Sequence, residues 1–254
     1  MNDRALHDHV IRALADAPYR ASAEWRARGL ADATRVERFA RFLARHFYHE
    51  RIVHFFKYSR ALARVTGRRP DAILRRSGFE ALFPIMVLGS RETAAAVARL
   101  VVDYVGAAGT AGIPYLSDLL RYEEAMMVAE AGARVWRDSE GAGSGERSVP
   151  MLVEGTVLLD LSHDLPAVLP RLLSPWTDVP QATARPVKLL VARSVHGRVA
   201  VARSSDVVEK VLALADGRRT LQDLARETGA DPTQVEETLR GLVELGAMRF
   251  STGS

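Results

Sequence analysis

The sequence predicts an α+β protein: an N-terminal helical domain, then a winged helix-turn-helix-like domain made of a β-hairpin and three short helices. Three observations lead there. Residues 1–138 show helical periodicity interrupted only by short glycine and proline signals. The stretch DSEGAGSGERS, residues 138–148, is rich in glycine, serine and charge and poor in apolar residues. Beyond it the pattern changes to two-residue alternation. The chain thus divides into residues 1–138, a linker over 139–149, and residues 150–254.

In the first part, Thr34-x-x-Glu37 reads as a capping box that opens a long helix through ATRVERFARFLARHFYHERIVHFFKYSRALARV. Phe39, Leu43 and Phe47 follow at i, i+4, i+8 as its expected buried stripe. Gly67 and Pro70 end the pattern. PDAILRRSG reads as a short helix with proline in its first turn and Gly78 at its exit. Pro84 breaks the next segment, FEALFPIMVLG. RETAAAVARLVVDYVG and IPYLSDLLRYEEAMMVAEAGARVWR are two more helices around a GAAGTAG loop.

In the second part, MLVEGTVLLDLS alternates as strands do, and HDLPAVLPRLLSPW is a proline-punctuated loop or short helix. VKLLVARSVHGRVAVARS reads as a hairpin about a His196-Gly197 turn. SDVVEKVLALAD and RTLQDLARETG are helices, the second ending at Gly229. Asp231, Pro232 and Gln234 start a third, which stops at Gly246, and MRF is a candidate last strand.

Composition bounds the function. The chain has 254 residues, 48% hydrophobic and 26% charged, without cysteine. Disulfide frameworks, thiol nucleophiles, Fe–S clusters and cysteine-based zinc sites are excluded. The start lacks the apolar core of a signal peptide, and no apolar run approaches the roughly 18 residues of a membrane span. A cytoplasmic location is therefore expected. The net charge of +4 invites a nucleic-acid reading, but the surplus is regional: +6 over residues 1–138, −3 over 139–186 and +1 over 187–254. Arginine and alanine enrichment of this kind also follows from a GC-rich genome.

Several constellations bear on chemistry. His46, Glu50 and His54 are spaced i, i+4, i+8, but eight residues of helix rise about 12 Å, so the outer two cannot share one ion. Phe39, Phe42, Phe47, Tyr48, Phe55, Phe56 and Tyr58 put 7 of the chain's 17 aromatics into 20 residues. They cover more than one helix face, so core packing and a partner surface both stay open. Glu123 shares a stripe with Leu116, Leu120 and Met127, and a buried carboxylate needs cations or donors. Lys57, Tyr58 and Arg60 are candidates, in a structural ion pair or at an interface. No nucleophile elbow, phosphate loop, dinucleotide-binding pattern or zincin motif occurs, and no catalytic residue or metal ligand is assigned.

A winged helix could read DNA, but its third helix carries Glu236, Glu237 and Glu244 against Arg240 alone, which opposes phosphate contact. A hairpin edge beside a helix can instead accept a peptide as an added strand. Arg198, Val199, Ala200, Val201, Ala202 and Arg203 would supply that edge, with Val199 and Val201 inward and the two alanines leaving an open outer surface. Gln234, Thr238 and Gly241 would form the helical flank.

ALADGRRTLQDLARETGADPTQVEETLRGLVELGAMRF resembles the PqqD-like RiPP recognition element, which binds leader peptides of ribosomally made natural-product precursors. FYHERIVHFFKYSRAL, FEALFPIMVLGS and PYLSDLLRYEEA resemble partner subunits of multinuclear non-haem iron-dependent oxidative enzymes (MNIOs), as in methanobactin and thiaglutamate synthesis. The resemblance implies a non-catalytic subunit in a heterodimer with a TIM-barrel MNIO that holds the iron, with no cofactor in this chain. It would bind a precursor peptide for oxidative modification, expected at cysteine. Lys57, Tyr58, Arg60, Tyr115, Tyr122 and Glu123 are then the candidate partner interface, with no role for nucleic acid or membrane. A winged-helix transcriptional regulator with a helical sensor domain is the alternative.

Overall fold

The computed structural model describes residues 3–29, 32–109, 112–131 and 148–252. The chain forms two compact units, one of residues 1–127 with 169–180, the other of 128–168 with 181–254. A single cut between domains does not describe this division, because Leu169–Pro180 belongs with the first unit. The glycine- and serine-rich linker lies outside the described residues, except that Ser148 and Val149 already belong to a strand.

In the first unit, α1 (Asp3–Ala15), α2 (Ala17–Arg20) and α3 (Ala23–Ala27) precede the long α4 (Ala33–Phe55). Asp32 caps α4 by accepting from the Thr34 and Arg35 amides. The expected Thr34–Glu37 box does not form, because Glu37 is drawn to the guanidiniums of Arg20 (2.6 Å) and Arg41 (2.7 Å). These arginines lower the Glu37 pKa against the opposing effect of burial.

The buried stripe of α4 is Ala40, Ala44, Tyr48, Ile52 and Phe55. The expected Phe39–Leu43–Phe47 stripe is one step out of phase: Phe39 is 50% exposed, and Leu43 and Phe47 are half-buried. Helix α1 packs on α4, with Val10 of α1 and Val36 of α4 against the cluster of Ala13, Tyr19 and Trp25.

The helix breaks at Phe56 and continues as α5 (Lys57–Ala61) and α6 (Ala63–Thr66), the latter ended by Gly67 at φ +67°. A 3₁₀ turn over Pro70–Arg75 and α7 (Ser77–Glu80) follow, so Gly78 lies inside a helix and not at an exit. Then come α8 (Arg91–Gly106), capped by Ser90, and α9 (Leu116–Glu130). Helix α9 is buried over most of its circumference: Leu116, Leu119, Leu120, Tyr122, Ala125 and Met127 are buried, and so are the carboxylates of Asp118 and Glu123.

The second unit holds β1 (Ser148–Leu152) and β2 (Val157–Leu161), then β3 (Val187–Arg193) and β4 (Val199–Arg203) after the connecting helix α10 (Leu165–Leu172). Helices α11 (Asp206–Leu214), α12 (Leu221–Thr228) and α13 (Pro232–Glu244) come next, and β5 (Met248–Thr252) closes the chain. Strands β2-β3-β4 form one antiparallel sheet, and β1 pairs with β5 in another. The three C-terminal helices begin at side-chain caps: Ser205, the reciprocal Thr220–Asp223 box, and Asp231 before Pro232, the last as expected from the sequence. Their apolar faces enclose Val211, Leu224, Val235, Leu239 and Leu242 with Leu190 and Ala192 of β3.

Gly246 lies at φ +78°, and a Cβ there would stand 2.1 Å from the Arg193 carbonyl oxygen. Glycine is thus fixed by both conformation and contact. Among the described residues, no helix is long and apolar enough to cross a membrane.

Candidate functional site

Strand β4 is one edge of its sheet. The hairpin turns at Ser194–Gly197, where Gly197 at φ +76° donates its N–H to the Ser194 carbonyl (2.8 Å), as the His196-Gly197 pair predicts. The Ser194 N–H donates to Arg198 O (2.7 Å) and the Ser204 N–H to Lys188 O (2.9 Å). Those two bonds fix the parity of the ladder. Arg198, Ala200, Ala202 and Ser204 turn their backbone groups toward β3, so Val199, Val201 and Arg203 turn theirs to the open side. Among the described residues these outward groups have no backbone partner.

Side-chain facing reverses the expectation. Ala200 pairs with Ala192 and Ala202 with Leu190, both in the three-helix core. Directly opposed residues share a face, so the alanines look toward the helices and Val199 and Val201 look away. All four are half-buried. The simple alternation failed because β3 is apolar on both sides, with Leu189, Leu190, Val191 and Ala192 all buried. Such a partner does not select a face.

On α13, Gln234 and Gly241 are exposed and Thr238 is half-buried, and a Cβ on Gly241 would meet open space. No hydrogen bond joins this flank to β4 among the described residues. Arg198 is exposed. Arg203 is held by Asp164 (2.8 Å), a buried carboxylate that Arg185 also grips. Asp164 was not legible as a site residue, since both partners are distant in sequence and no local pattern marks it.

The second cluster surrounds Glu123, which is fully buried. Lys57 and Arg60 do not pair with it. Its Oε1 accepts from the N–H groups of Tyr58 (2.8 Å) and Ser59 (3.2 Å), freed by the helix break at Phe56. Its Oε2 has no hydrogen-bond partner. Burial pushes the Glu123 pKa up to about 8, against the pull of the Ser59 side chain, the two N–H groups and Lys57. Tyr122, tilted against Tyr58, is pushed up to about 12 by burial, with Tyr58 and Glu123 adding to the rise.

Tyr115 is also buried and donates its hydroxyl to Pro180 O (2.7 Å). Of the six candidate interface residues, Lys57 and Arg60 are exposed and Tyr58 is half-buried, while Tyr115, Tyr122 and Glu123 lie inside the unit. Among the described residues no group of three or more metal-ligating side chains is found.

No protein-family model matches the chain, and no curated protein matches its sequence.

Proposed function

We propose that this chain is the non-catalytic subunit of a RiPP-modifying complex. Its second unit serves as a winged helix-like recognition element for a precursor leader peptide. Its helical unit binds a TIM-barrel MNIO, whose iron oxidises the peptide, with cysteine as the target. The observation that supports this reading is the open edge of β4: the alternate residues Val199, Val201 and Arg203 offer unpaired N–H and C=O groups, and backbone pairing of this kind gives affinity with bland side chains. The alternative of a duplex-reading regulator is disfavoured by α13, whose Arg240 is held by Glu236 (3.0 Å) while Glu237 and Glu244 stay exposed.

The test titrates the full chain with the fluorescein-labelled leader segment of a candidate precursor peptide. Val201→Pro removes an N–H that faces the open edge and leaves the β3 ladder intact. It is expected to weaken binding about tenfold with an unchanged melting temperature. Ala202→Pro removes a ladder bond to β3 and is expected to cost about 3 kcal/mol of stability. Unchanged affinity in Val201→Pro refutes strand addition at this edge. Salt-dependent duplex binding without peptide binding moves the assignment to the regulator.

A further inference from the structure

Residues 35–76 carry 12 lysines and arginines against 3 acidic residues, so the chain's cationic surplus is concentrated on α4 and the turns after it. The outward stripe of α4 joins that charge to exposed aromatics. Arg38, Phe42, Arg45 and His49 follow at i, i+4, i+7 and i+11, with Phe39 and His46 beside them, a row about 17 Å long. Phe39 is 50% and Phe42 61% exposed. Phe42, Arg45, His46 and His49 line one wall of a cleft of about 560 Å³, and Arg69, Asp71 and Arg75 line the other.

The cations there are not all satisfied. Arg45 is paired with Glu80, and Arg69 grips Asp71 with two hydrogen bonds (3.2 and 3.0 Å). Arg38 and Arg75 make no hydrogen bond or ion pair among the described residues. A large exposed aromatic beside unpaired guanidiniums is the composition of an interaction hot spot.

We infer that this cleft docks an acidic segment of a protein partner, with an apolar side chain seated on Phe42 and carboxylates set against Arg75 and Arg38. Charge complementarity selects an acidic occupant, and the interruption of the cations by carboxylates selects a peptide over single-stranded nucleic acid. Phe42 lies between Phe39 and His46, its neighbours at 6.2 and 6.4 Å and nearly parallel. At 61% exposure the Phe42 ring offers an open apolar surface to an aliphatic or aromatic side chain. Asp71 lines the cleft, Glu80 holds Arg45 and Glu50 stands 3.5 Å from His49, so the positive charge is discontinuous; a peptide can space its carboxylates to match, whereas a phosphate chain carries charge at every unit.

The inference does not depend on what the partner does, nor on the β4 edge. The probe is a synthetic fluorescein-labelled peptide of two glutamates, leucine, phenylalanine and two glutamates, titrated against the full chain by anisotropy. A Kd of about 100 µM is expected at low salt, weakening severalfold as salt rises. Phe42→Ala and Arg75→Glu, both at exposed positions, are each expected to weaken it about tenfold with unchanged melting temperatures. Val201→Pro is expected to leave it unchanged, which separates this site from the β4 edge. Peptide binding that survives both cleft substitutions overturns the inference. So does absence of binding at about 1 mM peptide, or tighter binding of oligouridylate of equal charge.

Discussion

Replacing Glu123 by glutamine removes a titration without removing an acceptor, and its effect on stability follows from the geometry. In the folded chain the carboxyl titrates at about 8 against an ordinary 4.5. The folded state therefore keeps a proton that the unfolded state has released between these values. Stability is full below pH 4.5 and falls as pH rises toward 8, because the unfolded chain then binds fewer protons. At about 1.4 kcal/mol per pH unit, the whole interval amounts to about 5 kcal/mol, of which about 4 lies between pH 5 and 8. Glutamine presents the same oxygen to the Tyr58 and Ser59 amides and does not titrate.

Urea unfolding of both proteins at pH 5, 6.5 and 8 supplies the comparison. The glutamine variant is expected to match wild type at pH 5 and to exceed it by about 4 kcal/mol at pH 8. Glu124, also raised by burial, is present in both proteins and cancels, and Tyr122 titrates above the range. A wild-type-minus-variant difference constant within about 1 kcal/mol across these pH values would refute a buried, uncompensated Glu123. Glu123→Leu sharpens the reading. It orphans the Tyr58 and Ser59 amides, costs about 2–4 kcal/mol relative to the glutamine variant at every pH, and speeds hydrogen exchange at both amides.

Two further substitutions test the second unit. Gly246→Ala places a Cβ against the Arg193 carbonyl and is expected to cost about 3 kcal/mol or more by urea unfolding. Gly67→Ala, equally left-handed but facing open space, costs only about 1 kcal/mol, and equal losses at the two sites would discredit the contact argument. Asp164→Ala releases Arg185 and Arg203 and is expected to cost about 2 kcal/mol. Thermal melts that differ by less than about 1 °C would show that the two partly exposed arginines are fully satisfied by water.

What was legible in the sequence is what local chemistry decides. Asp231 with Pro232 starts α13 because the Asp231 carboxylate satisfies the Thr233 amide within its own turn. Gly229 and Gly197 mark their turns for a similar reason: a left-handed residue is a local demand. What was not legible depends on a distant neighbour. Large apolar residues suggested the inward face of α4, whereas the buried stripe is built on Ala40 and Ala44, one residue out of phase. Glu37 looked like a cap until Arg20, in an earlier helix, competed for it. The Glu123 donors are backbone amides that exist only because α4 breaks at Phe56, and side-chain patterns do not announce them.

The β4 edge shows how a correct element can carry a misassigned face. Alternation in Val199–Arg203 located the strand and its hairpin, but its phase was read on the assumption that larger residues point inward. The register overrules that assumption, since Ala200 and Ala202 lie opposite core residues of β3. The reversal strengthens the case for an added strand. Small side chains toward the helices leave room where an incoming peptide would place its own residues. The outward backbone groups belong to Val199, Val201 and Arg203, whose side chains point to the opposite face. A peptide pairing there would alternate between a helix-side space bounded by alanine and a valine-bearing face, so its apolar residues would recur at every second position.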